Sequence, residues 1–197
     1  PESEEDVYLS LIDCAIFAQD LQLARKSCYT LLEIHPSSIN VFTKLGEINL
    51  KLSNFEEGIN FLNKSITLGS KLPTPWILIA QCSASLGDIN GANNQFLMAS
   101  NIFPSHPEIL HAMGNFAKSR KNIPEALIYF QEAYENIVTY YPISEQSEIN
   151  IHADYGMLLL EQNKIQEASK LLNESFTKFD KHPQIAYPFG KSKLRVF

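Results

Sequence analysis

The chain has 197 residues, 45% of them hydrophobic, and a formal net charge of -6 with a pI near 5.4; that is enough apolar material for a substantial core and excludes a disordered polymer. The acidic balance excludes bulk binding to nucleic acid, because phosphate neutralisation needs clustered Lys and Arg and the longest basic cluster is the terminal KSKLR. No apolar run approaches the ~18 residues of a membrane span, and PESEEDVYLS is acidic where a secretion signal is basic.

Residues 5–36 carry two stripes. Tyr8, Leu11, Ile12 and Ala15 predict one helix, and Leu21, Ala24, Cys28, Leu31 and Leu32 a second, closed by His35-Pro36. The break at Gln19-Asp20 is so short that the two helices must be antiparallel neighbours. The pair returns over 39–73 with Phe42, Leu45 and Gly46, then Gly58, Leu62 and Ser65, Asn54 being placed to cap the second helix. Over 74–104 Thr74 is the expected cap, with Pro75 at the first helical position. Trp76, Ile79 and Ala80 then lead, past Asp88, to Ala92, Phe96 and Ala99. Over 107–142 come Leu110, Met113 and Gly114, then, after Asn122-Ile123-Pro124, Ala126, Phe130 and Ala133.

Stepping by 34 residues from Ala92 lands on Ala126 forwards and on Gly58 and Ala24 backwards. Gly114 to Gly156 is 42 residues, an excess of eight, or two helical turns at ~3.6 residues each. The stripe Leu127, Phe130, Tyr134, Ile137, Val138 and Tyr141 predicts that the second helix of pair four lengthens, the alternative being an eight-residue loop. Pro142 stops it and Ser144 caps the next helix. The fifth pair, 145–183, has a longer first helix with Ile149, His152 and Gly156, then Ala168, Leu172 and Ser175. A further 34 residues reaches Gly190, so 184–197 is either the first helix of a partial sixth unit, begun at Pro188, or a terminal cap.

A period of 34 with these residues resembles the tetratricopeptide repeat, W-x2-L-G-x2-Y, then A-x3-F, then P. Trp76-x2-Ile79-Ala80-x2-Ser83, Ala92-x3-Phe96 and Pro104 follow it; Gly46, Gly114 and Gly156 hold the glycine position, and Ala24, Ala126 and Ala168 the alanine position. The first pair departs most, with Ile12 and Cys28 at the glycine and phenylalanine positions. The resemblance implies an all-α fold, a right-handed α-α superhelix (solenoid) of five hairpins plus a partial C-terminal unit, forming a single domain over 1–197.

It also implies that first helices line a concave face. The outer residues there include Asp13, Phe17, Glu47, Lys51, Gln81, Ser85, His111, Asn115, Lys118 and Met157, a mixed lining suited to an extended or helical peptide with basic residues facing Asp13 and Glu47. The family's clamp for a terminal carboxylate is poorly matched. Asn115 occupies one corner, but His111 replaces a lysine and Asp154 stands where an amide is wanted.

Cys14, Cys28 and Cys82 have no CxxC or Cys/His partner at metal-ligand spacing and read as buried thiols of a reducing compartment. His152 reads as a packed core histidine. No GxxxxGK[ST], HExxH or GxSxG is present. The expected protein is therefore not an enzyme. It binds no cofactor, metal or nucleic acid, does not insert in a membrane, and works in the cytoplasm or nucleus as a scaffold or adaptor for a protein or peptide partner. Self-association through the incomplete last unit is a further option. The alternative is the substrate-recruiting arm of a multidomain enzyme, such as a glycosyltransferase, since a start at Pro1 suggests a fragment.

Overall fold

The structure, a computed structural model, describes residues 3–137 and 143–194. Every regular element among them is an α-helix: α1 (Glu4–Phe17), α2 (Leu21–Ile34), α3 (Ile39–Lys51), α4 (Phe55–Thr67), α5 (Thr74–Ser85), α6 (Ile89–Ile102), α7 (Pro107–Ser119), α8 (Ile123–Asn136), α9 (Glu145–Glu161), α10 (Ile165–Lys178) and α11 (Pro183–Leu194). The chain divides into two compact units, Pro1–Ile102 and Phe103–Phe197.

In the first unit α1 packs on α2, α3 on α4 and α5 on α6, while α2 touches α3, α4 touches α5, and the first helices α1, α3 and α5 meet in sequence. In the second, α7 pairs with α8 and α9 with α10; α8 and α7 both reach α9, and α11 rests on α9 and α10. Second helices such as α4 and α10 bury one narrow stripe, whereas first helices such as α9 bury residues on more than one side, so a hairpin is stable when a neighbour covers it.

All five turns inside the hairpins are alike. The second residue after each first helix lies at positive φ: Gln19 62°, Ser53 63°, Gly87 82°, Lys121 61° and Asn163 59°. The following amide donates back to the last turn of the helix, as in Asp20 N to Ala15 O at 2.9 Å and Asn122 N to Ala117 O at 3.0 Å. This is a Schellman closure, which satisfies the last carbonyls. Only one of the five is glycine, although the left-handed region costs other residues roughly 1–2 kcal/mol.

The glycines of the first helices have a different task. A Cβ on Gly46, Gly114 or Gly156 would lie under 3 Å from Leu62, Phe130 or Leu172 respectively. Each large side chain stands on the second helix four residues after the small residue Gly58, Ala126 or Ala168. The third hairpin uses Ala80 against Phe96, both buried. The first inverts the sizes: Ile12 and Cys28 are fully buried in one cluster. The large side chain is thus supplied from either helix, which close packing permits when the facing position is small.

Several expectations need correction. The N-cap of α5 is Pro73, not Thr74, and its side chain caps nothing. Asn54 occupies the N-cap of α4 but makes no capping bond; its Nδ2 donates to Asn49 Oδ1 at 3.4 Å. Asp88 does cap, accepting from Gly91 N at 2.8 Å, and Ser144 accepts from Ser147 N at 3.1 Å. Cys14 is exposed, being off the stripe of Ile12, Ala15 and Ile16.

Of the eight extra residues, four lengthen α9, which begins 11 residues before Gly156 where α7 begins seven before Gly114. The predicted extension of α8 through Val138 to Tyr141 falls on residues outside those described, and the described helix ends at Asn136. The last helix starts at Pro183, with Pro188 inside it. That start is seven residues before Gly190, the register of α3 and α7. Gly190 nonetheless faces open space.

The crossings and the turns can each be tested by substitution. Gly46→Ile should destabilise by about 3 kcal/mol or more and Leu62→Cys by about 2 kcal/mol. Combined, they reproduce the Ile12/Cys28 arrangement and should cost at least ~1 kcal/mol less than the sum in urea unfolding; strict additivity would contradict the interlock. Gln19→Gly and Lys121→Gly should each stabilise by about 0.5–1 kcal/mol, since the native φ is left-handed; a loss of stability in both would contradict it.

Candidate partner-binding faces

In the first unit, Asp13 on α1 and Glu47 and Lys51 on α3 come together around Lys44, a residue that its place in the sequence does not single out. Lys44 Nζ lies 2.5 Å from Asp13 Oδ1 and 3.7 Å from Glu47 Oε2, and Lys51 Nζ is 3.9 Å from Glu47 Oε1. Alternating signs make this a neutral ladder, and the acidic patch expected to face a basic peptide is largely matched within the chain. Each partly exposed pair is worth ~0–1 kcal/mol, so the ladder fixes side-chain positions more than it stabilises the fold.

Phe17, the last residue of α1, is 90% exposed. Gln81 and Ser85 are exposed on α5. Ser85 Oγ donates to the Gln81 carbonyl at 2.9 Å, and the Gln81 amide group has no partner among the described residues.

In the second unit, α7 and α9 bring His111, Asn115 and Lys118 to a common edge. His111 Nε2 lies 2.7 Å from Asp154 Oδ2, and Asn115 Nδ2 is 3.2 Å from the same nitrogen. Lys118 Nζ is 3.2 Å from Glu161 Oε2. Met157, half-buried, packs on the core around Phe130 and Leu159. Asp154 therefore presents a carboxylate where the family's clamp needs an amide, and a terminal carboxylate would be repelled there.

His152 on α9 lies deep in a core, 6% exposed. Its ring meets Tyr134 edge-on at 5.0 Å and Phe179 at 5.1 Å. Nδ1 is 2.6 Å from Ser175 Oγ, and Ser175 donates to the Leu171 carbonyl at 2.7 Å. The Ser175 hydroxyl thus sits between His152 Nδ1 and the Leu171 carbonyl; in the tautomer with the ring proton on Nδ1, the ring donates to Ser175 and Ser175 to the carbonyl. Burial lowers the imidazole from 6.5 to about 4, against the opposing pull of Glu148.

Two histidines that precede proline act on the backbone instead. His106 Nδ1 accepts from Glu108 N at 3.3 Å and His182 Nδ1 from Gln184 N at 3.4 Å, a capping role hidden behind the His-Pro pairs in the sequence.

The arrangement offers little covalent chemistry. Ser175 is fully buried, and burial pushes the thiols of Cys28 and Cys82 up to about 12 and about 11, leaving them protonated and unreactive. Among the described residues no group of three or more His, Cys, Asp or Glu is arranged to hold a metal, and no helix is long and apolar enough to cross a membrane.

No known family profile and no curated protein matches the chain. Solved structures do. TTC0263, a thermophilic TPR protein of Thermus thermophilus, is 13% identical with a TM-score of 0.75 over 96% of this chain and 99% of its own. A chain of the Cut9–Hcn1 hetero-tetramer of the APC/C is 15% identical with a TM-score of 0.68, covering 96% of this chain and 36% of that one. This chain thus spans about a third of the length of that relative. YrrB, a TPR protein with an unusual peptide-binding site, is 13% identical with a TM-score of 0.50 over 91% of this chain and 89% of its own. At these identities the likeness is one of fold.

Deprotonated burial of His152 has a measurable sign. The unfolded chain takes up a proton near pH 6.5 that the folded chain refuses until about pH 4. The stability from this site is full above pH 6.5 and is lost as pH falls through 4, by about 3 kcal/mol in all. Urea unfolding from pH 4.5 to 7 should show a shallower pH slope for His152→Gln than for the wild type; equal slopes would contradict the assignment.

Proposed function

We propose that this chain, which has the all-α fold of the tetratricopeptide-repeat solenoids, is a protein-interaction scaffold that holds a peptide segment of a partner against the outer residues of its first helices. The observation that carries this reading is the polar surface of α7 and α9, where His111 is positioned by Asp154 and Lys118 by Glu161, with Asn115 exposed beside them. Side chains ordered before binding lose less entropy when a ligand arrives. Exposed Asn115 on α7 presents an amide that both donates and accepts, as a peptide backbone requires; in the other unit, Gln81 on α5 does the same by itself.

The fold neighbours support the same class of role. One carries a peptide-binding site and another is part of a hetero-tetramer, by their own descriptions. This chain acts correspondingly as a subunit or adaptor in a larger assembly, and its chemistry is recognition.

Peptides selected from a random display library against the 197-residue chain test this. Gln81→Ala and Asn115→Ala remove exposed amides and should leave the thermal midpoint within ~3 °C of wild type. At least one of them should weaken the selected peptides by about tenfold or more. Selected peptides indifferent to every first-helix substitution would move the site elsewhere.

A further inference from the structure

The second unit contains a separate cavity on the side of its second helices. It has a volume of about 270 Å³ and is walled by Tyr134 and Glu135 of α8, Glu148 and His152 of α9, and Glu174 and Lys178 of α10. A neighbouring cavity of about 240 Å³ shares Tyr134, Glu135 and Glu174, so a bound chain has room to continue past the first. Three carboxylates face one lysine here, and His152 is neutral at pH 7.

The imidazole is the informative member. In the tautomer whose Nδ1 donates to Ser175, Nε2 is a bare acceptor. It makes no hydrogen bond among the described residues; the closest charged oxygen, Glu148 Oε1, is 3.8 Å away. The His152 side chain is only 7% exposed. Nε2 opens on the cavity, where an entering donor can reach it. Glu174, on the opposite wall, is exposed and has no partner among the described residues. Glu148 is held by Lys178, whose side chain is 50% exposed.

We infer that this cavity binds an arginine side chain from a partner protein, its guanidinium donating to His152 Nε2 and to the carboxylates of Glu148 and Glu174 beside the Tyr134 ring. Acceptors on two walls, an aromatic side chain and a net negative charge match a planar cation with five N–H donors. An ammonium supplies three donors from one point, where a guanidinium spreads five over a plane. Lys178 sits in the place of the ligand: it occupies Glu148 when the cavity is empty, and the arriving guanidinium competes with it. The site is independent of the first-helix surface and could fail or stand without it.

The probe is acetyl-Gly-Arg-Gly-amide, titrated at pH 7 into the 15N-labelled 197-residue chain and followed by NMR. Saturable shifts should centre on the amides of Tyr134, His152 and Lys178, while the neutral citrulline analogue gives none. The lysine analogue should bind about fivefold more weakly or worse, and Glu174→Gln should weaken the arginine peptide by about fivefold. Lys178→Ala should tighten binding by about threefold or more, because it removes a competitor; a merely structural lysine would not do so. The inference is overturned by absence of saturable shifts, by equal binding of the citrulline or lysine peptide, or by a Lys178→Ala variant that binds no tighter.

Discussion

The structure depends on how closely a first helix can approach its second. Where Gly46, Gly114 and Gly156 face Leu62, Phe130 and Leu172, the absence of a Cβ admits a large side chain directly onto the helix backbone. Burying such a side chain is worth ~1.5–3 kcal/mol, and the same contact sets the distance between the two rods. Ile12 and Cys28 reach the same end with the sizes exchanged. The constraint is that a small residue faces a large one at the crossing, and which helix carries the large one can vary.

Once the crossing and the Schellman turn are fixed, the rest of each hairpin is assigned. One stripe goes to the partner helix and another to the next hairpin. The outer positions of the first helices are left to make polar contacts between neighbours: Asp13 with Lys44 across α1 and α3, His111 with Asp154 and Lys118 with Glu161 across α7 and α9. These contacts order a surface without filling it, which suits the recognition role proposed for it. The second helices of the second unit leave a cavity where α8, α9 and α10 meet, and there a neutral buried histidine brings an acceptor to the wall.

Much of this was legible in the sequence because it depends on spacing. A small residue, then a large one sixteen positions later, repeated at 34, specifies both the hairpin and its stacking. What was hidden depends on reach and on local backbone. Lys44 lies two residues before Gly46, and nothing in the sequence says its amine turns towards Asp13. The turns at Gln19, Ser53, Lys121 and Asn163 carry no glycine, so the left-handed residue is visible only in the φ angles. Pro73 stands at the cap where Thr74 had the better chemistry, and Pro188, which reads as a helix start, is accommodated inside α11 at the loss of one backbone hydrogen bond. That the His152 ring meets Ser175 on one side and a cavity on the other is set in three dimensions.

Native-state hydrogen exchange tests most directly the claim that each hairpin is held at its crossing. If neither rod is stable without the other, the slowest amides of α3 and α4 should open with free energies within ~1 kcal/mol of each other, and likewise those of α7 and α8 and of α9 and α10. Second helices that stay protected while their first helices exchange freely would contradict the account.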